Sequence, residues 1–195
     1  MTVSKTRLKL VDVARQLFAK MGVQKTTMND IALASQKGRR TLYTYFKSKD
    51  EIYMAVIETE LERLSDVMSK VANEMLPPDK KLIKMIFARL DAIKEIVYRN
   101  GTLRAYFFRD IWKVEKARKK FDNKEIILIR NILSEGVAQG VFNIDDLDLT
   151  SMVIHCCVKG VEVPYIRGRI GGNLDIDTVK QYVSDLVLGG LKKIK

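Results

Sequence analysis

Arg39 and Arg40 stand side by side, and Thr41, Tyr43, Thr44 and Tyr45 follow within a few residues. A guanidinium presents a fork of donors that fits the guanine edge in the major groove of DNA, while threonine and tyrosine hydroxyls reach phosphate oxygens. Leu42 and Phe46 lie four apart, so a short helix here would seat those two inward and leave the arginines outward. Arg39 and Arg40 are therefore the candidates for base contacts. Thr41, Tyr43, Tyr45 and Lys49 are candidates for phosphate or base-edge contacts. The competing reading is a solvated charged helix with half-packed tyrosines. It applies most to Tyr45, which falls near the Leu42 side of the wheel.

His155, Cys156 and Cys157 form the other chemically suggestive run. Consecutive helical residues diverge by about 100°, so the three cannot converge on one ion. The chain has no other histidine or cysteine, so no metal site is expected, and a buried core role is. Oxidation of adjacent free thiols is the weaker alternative. The lone histidine has no carboxylate partner or nucleophile at a recognisable spacing, and no glycine loop cradles phosphate. Neither an enzyme nor a cofactor is expected.

The arginine helix needs elements to hold it. Thr27 is a good N-cap, and Asp30 three residues later makes a capping-box pair, with Met28, Ile31 and Ala32 facing a small core. Gly38 and the residues before it break the pattern, which resumes at Arg39. Ser48 with Glu51 is a second capping box. Two short helices, a tight turn and a third helix are the layout of a helix-turn-helix. Before them, Leu10, Ala14, Leu17, Phe18 and Met21 form one apolar stripe that Gly22 ends.

Charge agrees with this division. Residues 1–50 carry 11 Lys/Arg against 3 Asp/Glu, a net of +8, which leaves +3 of the whole-chain +11 for the remainder. A basic head on a nearly balanced body is the footprint of a phosphate-binding domain. With 47% hydrophobic residues the chain can bury a core, and no stretch approaches the ~20 apolar residues of a membrane span. No signal-peptide layout opens the chain and the two cysteines are adjacent, so a cytoplasmic protein is expected.

The rest reads as helices. An apolar face over residues 48–76 predicts a long helix, stopped by Pro77-Pro78. Residues 79–99 predict another, ended by Asn100-Gly101. Thr102 caps a helix carrying Tyr106, Phe107 and Trp112, and Asp122 or Asn123 restarts one that ends at Gln139-Gly140. The last two span residues 148–167, with Pro164 ending or kinking the first, and 175–191. Nothing alternates as a strand, so the fold expected is all-α with about nine helices. The domains expected are 1–49, DNA-binding, and 50–195, helical.

The first quarter to third of the chain resembles the DNA-binding domain of the TetR (tetracycline-repressor) family. Ala14, Leu17, Phe18, Gly22, Thr26-Thr27, Ile31-Ala32, Thr41-Leu42-Tyr43, Phe46 and Ser48-Lys49 carry the match. Gln36 stands where the turn usually has glycine and Lys37-Gly38 where Val-Ser is usual, which reads as glycine moved to the start of the helix. Tyr45 replaces a frequent histidine.

The resemblance implies DNA contacts from Lys5, Arg7 and Thr27 as well. It also implies an effector pocket in the second domain, for which Tyr98, Phe107, Trp112, Met152 and His155 are candidates, each with plain core packing as its rival. It further implies a homodimer through the last two helices. The function expected is a repressor on double-stranded DNA, released from a palindromic operator by a small molecule, with the helix at 48–76 as lever. A ligand-independent architectural DNA-binding protein is the alternative.

Overall fold

The computed structural model describes residues 4–100, 111–170 and 174–191, apart from the side chains of 111–116. The described residues hold eight α-helices and no strand: α1 (Lys5–Met21), α2 (Met28–Ala34), α3 (Arg39–Tyr45), α4 (Lys49–Ala72), α5 (Pro78–Arg99), α6 (Ile111–Ala138), α7 (Leu147–Ile166) and α8 (Ile176–Leu191). The fold is all-α with an N-terminal helix-turn-helix, as expected. The helix start expected at Thr102, with Tyr106 and Phe107, lies outside the described residues.

The chain forms two compact units, Met1–Glu62 with Ile96–Lys119, and Arg63–Glu95 with Lys120–Lys195. In the first, Leu10, Val11, Ala14 and Phe18 of α1, Ile31 and Ala32 of α2, Leu42 of α3 and Ile52 and Val56 of α4 are all buried. Phe18 meets Tyr53 edge-on, with ring centroids 6.3 Å apart. Met21 is partly exposed and ends the stripe early. Gly22 terminates α1 at φ 86, a left-handed backbone that glycine adopts without Cβ strain.

In the second unit, Leu82, Met85, Ile86 and Leu90 of α5 pack with Ile129, Ile132 and Leu133 of α6, Val158 and Tyr165 of α7, and Leu191 of α8. Phe142 closes this core over Gly136, where even a methyl group would lie 2.1 Å from the ring.

Two boundaries differ from expectation. No helix restarts at Asp122 or Asn123, because α6 runs through both. Phe121, Glu125, Ile129 and Leu133 are all buried, so one face continues unbroken at intervals of four. α4 stops at Ala72 rather than near Leu76, and its last turn tightens, with Glu74 N donating to Val71 O at 3.1 Å. Pro77 disfavours helical backbone at the residue before it, and Pro78 instead opens α5, where its missing N–H is no loss. α7 matches the expected span closely: it runs two residues past Pro164 to Ile166, with Arg167 as C-cap and Gly168 after it at φ 63.

Candidate nucleic-acid interface

The surface begins with the cap of α2. The Thr27 hydroxyl accepts from Asp30 N at 3.1 Å, and Asp30 Oδ2 accepts from Thr27 N at 2.8 Å. The hydroxyl hydrogen also goes to Asp30, at 2.7 Å, and these bonds hold the carboxyl below its ordinary range. Thr27 is exposed as a DNA contact requires, but a phosphate would have to draw its donor away from Asp30.

The turn to α3 is a Schellman motif. Lys37 N donates to Ala32 O and Gln36 N to Leu33 O, both at 3.0 Å, while Ser35 Oγ caps Ala32 O. This geometry puts the residue after the C-cap in the left-handed region, and Gln36 occupies it at φ 56. Glycine does stand at the start of the next helix, as expected, with Gly38 as the N-cap of α3. Gly38 has φ −64, an ordinary value for any N-cap residue. Gln36 carries the cost that a glycine would remove.

α3 buries Leu42, with Phe46 as its C-cap, and turns its other face outward. Arg39, Arg40, Tyr43 and Thr44 are exposed, and Thr41 and Tyr45 are half-buried. Among the described residues neither guanidinium has an ion-pair partner, so both donor forks are available. Thr44 bonds back to Arg40 O at 2.9 Å. The hydroxyls of Tyr45 and Ser4 share a hydrogen bond of 3.1 Å, which ties the helix to the start of α1. Arg7 lies 5.2 Å from the centroid of Phe46, a cation–π contact on the same seam, and Lys5 is exposed one turn before Lys9.

Lys49 has a role that spacing did not suggest. Its ammonium donates to the carbonyls of Thr26 at 2.9 Å and Gln24 at 3.2 Å, pinning the start of α4 to the loop before α2. Ser48 caps Glu51 N at 3.2 Å, but the Glu51 carboxylate accepts from Lys47 N, one residue before the N-cap.

The five expected pocket residues do not behave alike. Tyr98 is 66% exposed at the end of α5, Met152 is 47% exposed on α7, and His155 is buried. Phe107 and the side chain of Trp112 lie outside the described residues. Cys156 and Cys157 are both exposed, contrary to a buried role; only the histidine of that run points inward.

That histidine is not without carboxylates, as its spacing had suggested. Nδ1 lies 3.3 Å from Glu125 Oε1 and Nε2 3.7 Å from Asp122 Oδ1. Arg89 Nε lies 2.5 Å from Glu125 and Arg89 Nη2 2.6 Å from Glu162, while Lys159 donates to Asp122 Oδ2 at 2.7 Å. Burial pushes the Arg89 guanidinium down, but the charges of Glu125 and Glu162 outweigh it and hold the group above its ordinary value. A sequence signal existed for this cluster. Arg89 and Glu125 sit at inward registers of otherwise apolar stripes, where a charge needs a partner.

No helix among the described residues is long and apolar enough to cross a membrane. Residues 10–56 match the family described as bacterial regulatory proteins, tetR family. The transcriptional repressor KstR2 of Mycolicibacterium smegmatis is 30% identical over 191 residues, covering 95% of this chain and 90% of that protein. Two solved structures share the fold. A transcriptional regulator from Cytophaga hutchinsonii aligns with TM-score 0.73 at 23% identity, over 94% of this chain and 97% of its own. The fatty acid degradation regulator FadR of Bacillus halodurans aligns with TM-score 0.73 at 18% identity, over the whole of both chains.

Proposed function

The chain belongs to the TetR family of bacterial regulatory proteins, and from that premise we propose a cytoplasmic, homodimeric repressor that a small-molecule effector releases from a palindromic operator. The carrying observation is the pair Arg39–Arg40. Both are exposed and without an ion-pair partner among the described residues, on a helix fixed from beneath by Leu42 and from behind by the Schellman turn. In this reading Arg39 and Arg40 read bases, Tyr43 and Thr41 reach phosphate or base edges, and Lys5 and Arg7 add charge along the backbone. Tyr45 serves mainly to anchor α3 through Ser4. DNA reading is assigned to residues 1–49, and effector binding and dimerisation to 50–195.

Dimerisation is supported by apolar residues left uncovered on the last two helices. Met152, Val153 and Val161 of α7 and Ile176, Tyr182 and Leu186 of α8 are all exposed. Large apolar side chains left exposed are the material of a partner's interface. A two-fold dimer would set two α3 helices about one helical turn of DNA apart, ~34 Å.

Release follows from linkage. An effector that prefers the dimer with its heads wrongly spaced lowers operator affinity by its differential affinity for the two states, ~1–3 kcal/mol of coupling being typical. α4 is the candidate lever, since residues 49–62 belong to the first unit and 63–72 to the second.

The test is selection of bound duplexes from a random pool by the purified protein at near-physiological salt. An enriched inverted repeat supports the dimeric reader. DNA with no shared sequence would overturn it in favour of charge-driven architectural binding.

A further inference from the structure

We propose that Asp122, Glu125 and His155 form a binding site for a first-row divalent metal ion of the zinc class. The three side chains lie on α6 and α7, and one donor atom from each falls within 4.8 Å of the others. One imidazole and two carboxylates are a borderline donor set, suited to zinc and its neighbours rather than to magnesium or calcium, which favour oxygen alone. The inference concerns a site remote in sequence from the DNA-reading helix and does not depend on that assignment.

Three observations set this cluster apart from an ordinary ion-pair network. The first is hydrogen bonding. Glu125 Oε2, Asp122 Oδ1 and His155 Nδ1 are buried and take part in no hydrogen bond, while Glu125 Oε1 is ion-paired to Arg89. Glu125 is 1% exposed and His155 4%. Buried polar atoms left so are costly unless something satisfies them, and here they face one another.

The second is spacing. Donors around a tetrahedral zinc at ~2.0–2.1 Å stand roughly 3.3 Å apart; His155 Nδ1 and Glu125 Oε1 are separated by that distance, and Asp122 Oδ1 lies 3.7 Å from Nε2 of the same ring. The third is charge and support. Lys159 binds Asp122 through Oδ2, leaving Oδ1 turned toward the imidazole, and Arg89 bridges Glu125 and Glu162. Ligating carboxylates are commonly oriented by such outer partners. Asp122, Glu125 and Glu162 outnumber the two fixed cations, Arg89 and Lys159, by one. Asp122 and Lys159 lie at the part-exposed edge, which gives the ion a route in.

The experiment uses the full chain, stripped with a chelator and then titrated with cobalt(II) as a spectroscopic substitute and with zinc by calorimetry. The expected result is one equivalent per chain, visible cobalt d–d bands without a thiolate-to-cobalt charge-transfer band, and no comparable uptake of magnesium. His155→Gln, checked by circular dichroism to be folded, should lose at least about tenfold in affinity. A variant with Cys156→Ser and Cys157→Ser should bind as the parent does. No uptake by the parent chain, a charge-transfer band, or unchanged uptake by folded His155→Gln would each overturn the site. The parent-chain spectrum decides the matter even if the histidine variant fails to fold.

Discussion

Lys49 Nζ donates to the carbonyl oxygen of Thr26 at 2.9 Å, across 23 positions of sequence, and so joins the first turn of α4 to the loop that precedes the helix-turn-helix. The lysine expected to touch phosphate is also a strut of the head. Lys49→Met should lower stability by about 1 kcal/mol, the upper range for a charged bond being discounted because the side chain is only half-buried. Thermal unfolding measures that loss, and the salt dependence of DNA binding measures the other role. A slope reduced by about 1 means a phosphate contact as well; an unchanged slope leaves the strut alone.

Gln36 holds φ 56 where the Schellman turn favours glycine. Gln36→Gly should remove about 1 kcal/mol or more of left-handed strain, offset in part by the greater freedom of glycine in the unfolded chain. The expected balance is a gain of about 0.5–1 kcal/mol, read as a higher denaturant midpoint at unchanged slope. A lower midpoint would mean that the glutamine side chain contributes something its geometry does not reveal.

Arg40→Ala should leave the fold intact, since the side chain is exposed and without an ion-pair partner among the described residues. Its loss should cost about 1–3 kcal/mol of operator binding and relax discrimination at one base pair. Competition against operators mutated singly at each position shows whether the relaxation is confined to one of them.

Arg89 is 1% exposed and serves both Glu125 and Glu162. Arg89→Met would leave two buried carboxylates without their guanidinium, a change that should destabilise the protein by about 3–5 kcal/mol. The triple variant Arg89→Met, Glu125→Gln, Glu162→Gln should recover much of it. Equilibrium unfolding of the two variants gives the comparison, and equal losses would contradict the charge argument.

The Tyr165 hydroxyl donates to Asp91 Oδ1 at 2.5 Å, and burial, that bond and the charge of Asp91 together push its pKa from 10.0 up to about 12. An acid whose folded pKa is raised adds stability below its unfolded value and loses it as pH climbs through the folded one. The advantage of the parent over Tyr165→Phe should therefore be constant below pH 10 and shrink between pH 10 and about 12. Unfolding midpoints of the pair across that range test it, the lysines titrating in common.

The sequence by itself determined what depends on neighbours along the chain. The Thr27–Asp30 capping box, the glycine stops at Gly22 and Gly140 and the inward pair Leu42–Phe46 are local, because caps and helical periodicity act within a turn or two. Those signals were enough for an all-α fold and for the outward arginines of α3. The apparent restart at Asp122 misled because polar residues look like a break until Phe121, Glu125 and Ile129 are seen to share one buried face.

Only the tertiary structure decided the rest. Lys49 finds Thr26, Tyr45 finds Ser4, and Arg89 finds Glu125 and Glu162 across separations that no period encodes. The histidine that seemed alone meets Asp122 and Glu125 because α6 and α7 pack side by side, and the cysteines beside it turn outward because successive helical residues diverge by about 100°. A charge at an inward register announces that a partner exists; packing alone says which.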